Sequence, residues 1–157
     1  MKPRKTLPKR DTFTYFVEGE FPTMNEFIAA AYAHRQQGAR MKATFTDVVK
    51  FALTGEDRVD LTLPLSVEFI WYRKNALSDL DNISFAQKFV LDGMVRAGII
   101  PEDNIKVITE IRHRMGAVDQ RDVGVAITFT TDAVKSESNL PSSAATNANR
   151  STALCQR

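Results

Sequence analysis

Residues 71–104 read WYRKNALSDLDNISFAQKFVLDGMVRAGIIPEDN, and this stretch decides the fold. It leaves an apolar strand, turns through Asp79 and Asp81, and enters a helix expected over about 82–97. Ile83, Ala86, Phe89, Val90, Met94 and Ala97 form the apolar stripe of that helix. Asp81 suits its N-cap, and Gly98 suits the position just past its C-terminus. On one continuous helix Lys88 and Asp92 each fall within ~20° of Asp81, at 100° per residue, so the three share a face. The chain then returns through Glu102, Asp103 and Asn104.

Working outward, a strand is expected over about 63–73 (LPLSVEFIWYR). Val67, Phe69 and Trp71 occupy one face and Ile70 and Tyr72 the other, which predicts cover on both sides. Downstream, 105–115 and 122–130 read as two strands of a hairpin joined across Gly116–Arg121. Their Lys106, Arg112, Arg114 and Arg121 would line one edge. Upstream, 13–20 alternates as a first strand and ends at a Gly19–Pro22 turn. Thr23 with Glu26 reads as a capping box opening a long helix, with a break expected at Gly38.

The resulting order is β-α-β-α-β-β. It predicts an α/β (α+β) domain with a mixed sheet of about four strands and helices packed on it. The domain spans 13–132. It is flanked by a basic flexible arm, 1–12, and a Ser-, Asn-, Thr- and Ala-rich tail, 133–157, expected to be disordered.

With 157 residues, 43% of them hydrophobic, the chain is long enough for one buried core. No apolar run reaches the ~18–20 residues that a membrane span needs. The N-terminus lacks the apolar segment of a secretory signal, and a single cysteine, Cys155, allows no internal disulfide; both fit a cytoplasmic protein. Five of the 21 basic residues lie in the first ten positions. The other 16 face 19 acidic residues, so the body is net negative and no generic polycation. Nucleic-acid affinity would rest on a local patch and the arm.

Asp79 and Asp81, one residue apart on a turn, are hard oxygen donors suited to a divalent cation. Arg73, Lys74 and Lys88 supply the charge that a phosphate backbone wants. A calcium loop starting at Asp79 is excluded, because Ser84 and Val90 stand where it needs glycine and glutamate. The two histidines, His34 and His113, are far apart, and no GxxxxGK[ST] phosphate loop is present. Taken alone, the acidic pair also fits a helix cap, and Lys88 with Asp92 also fits an i,i+4 surface pair.

The combined pattern is more specific than its parts. A strand, the DLDN of 79–82, Lys88 with Asp92 four residues on, AGII at 97–100 and Glu102-Asp103 resemble the RusA family of Holliday junction resolvases, in its phage and prophage branch. EGEFPTMNEF, 18–27, is similar to that family's N-terminal pattern. The resemblance covers about 13–130. It implies a RusA-like fold and a homodimeric, Mg²⁺-dependent endonuclease that resolves four-way DNA junctions in recombination and repair, with Mn²⁺ able to substitute.

The same resemblance implies catalytic roles for Asp79, Asp81, Lys88 and Asp103, with Asp79, Asp81 and Asp103 as metal ligands. Glu102 and Asp92 match further acidic positions of that family, to which no particular role is attached, and Asn25 matches an N-terminal polar position that would help the site and contact DNA. Ser78 stands where shorter members place an arginine, so Arg73 or Lys74 would take the phosphate, with Arg112 and Arg114 as further contacts. The gap from Asp81 to Lys88 is about one helical turn longer than in those members.

Chain length raises a further point. The expected helix is ~22 Å long, and Asp103 reaches at most ~17 Å beyond Gly98, so it returns nearer Lys88 and Asp92 than Asp79. The carboxylates therefore converge either within one chain, by an oblique crossing, or across a dimer interface. The alternatives are a Mg²⁺-dependent nuclease for flaps or forks, and a non-catalytic DNA-binding module.

Overall fold

The apolar strand at the centre of this reading is a strand, and every element of the fold is arranged around it. A computed structural model describes residues 12–131. Residues 1–11 of the expected arm and the whole of the expected tail, 133–157, lie outside the described residues. In order, the elements are β1 (Thr12–Glu18), α1 (Met24–Ala33), α2 (Arg35–Leu53), β2 (Leu65–Tyr72), α3 (Leu80–Ser84), α4 (Gln87–Arg96), β3 (Ile108–Met115) and β4 (Gly124–Thr131). The fold is α+β, with one four-stranded mixed sheet in the order β1-β4-β2-β3. Among the described residues, no helix is long and apolar enough to cross a membrane.

The expected hairpin of the last two strands does not form. β4 runs antiparallel between β1 and β2, and β3 runs parallel to β2 on its far side. The reason lies in side-chain character. β4 buries Val125, Ile127 and Phe129 completely and belongs in the middle of the sheet. β3 carries Glu110, Arg112 and Arg114, the kind of charged strand that tolerates an edge.

Register puts Tyr15, Val17, Val67, Phe69, Trp71, Val125, Ile127 and Phe129 on one face, all buried. Phe21, Phe45 and Phe89 continue this core, with Phe21 edge-on to Trp71 and Phe45 stacked on Phe89. Each such side chain contributes roughly 1.5–3 kcal/mol on leaving water. Cover on both faces of β2 was expected. Its burial alternates instead, and Ile70 and Tyr72 stay half-exposed beside Phe16.

The Thr23–Glu26 capping box forms as expected and opens α1. The break before α2 falls at His34 rather than Gly38. Gly38 is buried inside α2, where an added Cβ would come 3.1 Å from Ala31 Cβ. It serves the close packing of the two helices.

The expected continuous helix over 82–97 is two helices. Ala86 N–H donates to Ile83 O, Lys88 N–H to Phe85 O and Phe89 N–H to Ala86 O, a tightened i→i+3 joint. The cap of α3 is Asp79, not Asp81, and its side chain makes no capping bond. Gly98 does follow the C-terminus of α4, at φ 76°.

Candidate metal and nucleic-acid site

The joint between α3 and α4 separates the expected carboxylates into two groups. Asp79 and Asp81 are both exposed at the turn from β2 into α3. Ile83 N–H donates to Asp79 O, and the Ser84 hydroxyl donates to Asp81 O. Both carboxylates are without an ion pair or hydrogen bond among the described residues. Asn25 backbone N–H donates to Asn82 Oδ1 at 3.0 Å. The start of α1 is thereby tied to the aspartate turn, 57 residues away in sequence. Asn82 is a contact that sequence reasoning missed.

The second group is a chain of alternating charges. Lys88 Nζ lies 2.7 Å from Asp92 Oδ1 and 2.9 Å from Asp103 Oδ2. Lys42 Nζ, from α2, lies 3.1 Å from Asp92 Oδ2. The expected shared face of Lys88 and Asp92 is therefore real, while Asp81, beyond the joint, makes no ion pair or hydrogen bond with either. Asp103 meets Lys88, as the chain-length argument anticipates. Asn104 holds this return in place: its backbone O accepts from Val107 and Ile108, and its side chain accepts from Lys106 N–H and bonds Glu102.

Hydrogen bonds from Lys88 to Asp92, and next to Asp103, hold the Lys88 ammonium above its ordinary pKa. Burial pushes Asp92 upward, but the hydrogen bonds from Lys88 and Lys42 outweigh it and leave the carboxyl below its usual range. Lys88 is consequently a permanent cation at working pH. It can donate to an oxyanion and cannot serve as a neutral base.

Among the described residues, no group of three or more acidic, histidine or cysteine side chains is placed to hold a metal ion. The expected Asp79–Asp81–Asp103 set is not preassembled, because Asp103 is engaged by Lys88. The donor chemistry of the remaining pair does fit magnesium, which keeps several waters and often takes only one or two carboxylates plus substrate phosphate oxygens.

The four basic residues expected to contact phosphate all have acidic partners. Arg73 is 7% exposed; its Nη1 donates to Phe21 O at 2.7 Å and its Nη2 pairs with Glu20 at 3.2 Å. This buried guanidinium staples the turn after β1 to the end of β2, and it is not presented to solvent. Lys74, half-exposed, shares Glu20 at 2.7 Å. Arg112 pairs with Glu110 and Arg114 with Glu68, so the expected basic stripe on β3 is largely neutralised within the sheet.

His113, which falls within the strand expected over 105–115, links three elements. It stacks on Phe69 and accepts at Nδ1 from Trp71 Nε1–H at 3.0 Å. Indole can only donate, so the ring proton lies on Nε2, which reaches Gln87 Oε1 at 2.7 Å. Burial pushes its pKa down. The neutral ring thus anchors the first residue of α4, next to Lys88. No sequence signal distinguished it, because the partners come from other elements.

No protein-family model matches the chain, and no curated protein matches it in sequence.

Proposed function

We propose that the protein is a Mg²⁺-dependent endonuclease of branched DNA that resolves four-way junctions by symmetric hydrolysis, in recombination and repair. The observation that carries this reading is the succession of two kinds of group along the stretch from β2 through α3 into α4. Asp79 and Asp81, carboxylates with no partner among the described residues, stand at the entry to α3, and a fixed ammonium, Lys88, stands on α4 just past the joint. The resemblance of 71–104 to the RusA family supports it.

Asp79 and Asp81 would hold the ion, with Asp103 joining them either by leaving Lys88 or across a dimer. When bound, Mg²⁺ supplies charge that activates water and offsets the negative charge of the phosphodiester. Lys88 spends two of its three N–H groups on Asp92 and Asp103, and the third is left for a non-bridging phosphate oxygen. A homodimer would set two equivalent sites on a two-fold symmetric junction, which accounts for paired cuts. Cytoplasmic DNA is the matching location.

The test is cleavage of a mobile four-way junction beside linear duplex, flaps and forks, with and without Mg²⁺ or Mn²⁺. Junction-selective, metal-dependent cutting is expected. Preference for flaps or forks would redirect the substrate, and binding without cutting would favour a non-catalytic DNA-binding module. That second reading draws on the Lys88–Asp103 pair, which withholds the third acid from any metal.

A further inference from the structure

We propose that Asp92 is a positioning residue for Lys88, held in place from α2 by Lys42; the inference rests on the nuclease reading above. A lysine on the first turn of an exposed helix ordinarily samples many rotamers, which would spread its ammonium over several ångströms. Lys88, with its side chain 53% exposed, is restrained on two sides, by Asp92 and by Asp103. Asp103 is also a proposed metal ligand, so it cannot be relied on to hold Lys88 once metal is bound. Asp92 remains.

Asp92 is itself fixed. Its side chain is only 20% exposed, and its two oxygens go to two different lysines, Oδ1 to Lys88 and Oδ2 to Lys42. Rotating the carboxylate breaks one pair or the other. Lys42 reaches it because α2 and α4 approach closely at the next residue, Gly93, where an added Cβ would come 2.5 Å from Val49 Cβ and 2.8 Å from Thr46 O. A glycine on α4 therefore brings a second helix to bear on the ammonium. Asp92 touches neither DNA nor metal in this account; it keeps Lys88 aimed when Asp103 departs.

The experiment compares single-turnover junction cleavage by wild type, Asp92→Asn, Asp92→Glu and Lys42→Met, with Asp47→Asn as control. Asp47 pairs with Arg96 at 3.3 Å and joins the same two helices away from Lys88. Asp92→Asn is expected to lower the cleavage rate on the order of 10- to 100-fold, as displaced catalytic groups do. Junction affinity should stay within about twofold, because the loss belongs to the reaction step rather than to binding. Lys42→Met should lower the rate less, and Asp92→Glu should regain most of it. The Lys88 ammonium signal in ¹H–¹⁵N spectra, assigned with Lys88→Arg, should broaden or vanish in Asp92→Asn and persist in Asp47→Asn.

Wild-type cleavage by Asp92→Asn, or an equal loss in Asp47→Asn, overturns the positioning role and leaves the nuclease reading standing. An unchanged Lys88 signal in Asp92→Asn overturns it as well. A wild-type protein that cuts no branched DNA in Mg²⁺ or Mn²⁺ overturns the nuclease reading itself.

Discussion

Asp103 Oδ2 and Lys88 Nζ are 2.9 Å apart, so two residues expected to face substrate together face each other first. The ion pair gives Lys88 its second restraint and gives Asp103 a resting place away from Asp79 and Asp81. Metal binding by all three carboxylates would have to break it or draw the third acid from another subunit. Mixing Asp79→Asn with Asp103→Asn subunits separates the two. Cleavage restored in the mixture marks sites assembled across the dimer, whereas its absence marks sites assembled within one chain.

Asp81→Asn and Asp79→Asn are expected to abolish cleavage while leaving the melting temperature unchanged. Neither carboxylate has a partner among the described residues, so amidation breaks no native interaction. Thermal melts beside cleavage assays check this. A drop in stability with cutting preserved would make the acids structural.

Gly93→Ala should destabilise the fold by about 1–3 kcal/mol, the usual cost of overpacking. The new methyl group collides with Val49 Cβ and the Thr46 carbonyl, both fixed within α2. Denaturant titration reads the loss. A neutral substitution would mean that α2 and α4 separate without penalty.

Thr46 Oγ1 is buried with no hydrogen-bond partner among the described residues. Thr46→Val removes an uncompensated hydroxyl at nearly constant volume and should stabilise the protein by about 1 kcal/mol. Equilibrium unfolding decides it; destabilisation would reveal a partner for the hydroxyl.

Arg73→Met is expected to cost about 2 kcal/mol, because it removes charge-assisted bonds to Phe21 O and Glu20. DNA affinity measured well below the unfolding transition, and its dependence on salt, should match wild type. A reduced salt slope would return Arg73 to the phosphate contacts.

His113 makes stability sensitive to acid. Burial lowers its folded pKa below the ordinary 6.5, so between the two values the unfolded chain binds more proton. Its contribution is complete above about pH 6.5 and is lost as pH falls toward the depressed folded value. Protonating Nδ1 also removes the acceptor for Trp71. Unfolding free energies from pH 7 to pH 5 should show this slope in wild type and a smaller one in His113→Gln.

What depends on neighbours a few residues apart was legible in the chain. The Thr23–Glu26 capping box, the glycine after α4 and the Lys88–Asp92 spacing all follow from local geometry. Even here, the i→i+3 joint at Phe85–Ala86 escaped, because the apolar stripe runs through it without a breaker.

Tertiary structure alone decided which strand lies beside which, and which charge meets which. Two sequential strands with a short connection suggest a hairpin, yet β2 lies between β3 and β4, because Val125, Ile127 and Phe129 bury best at the centre and the charged β3 belongs at the edge. The same long-range closure placed Lys42 on Asp92, Gln87 on His113 and Glu20 on Arg73. Spacing along a chain sets the phase of a side chain on its own helix or strand; its partner across the core depends on how whole apolar faces pack.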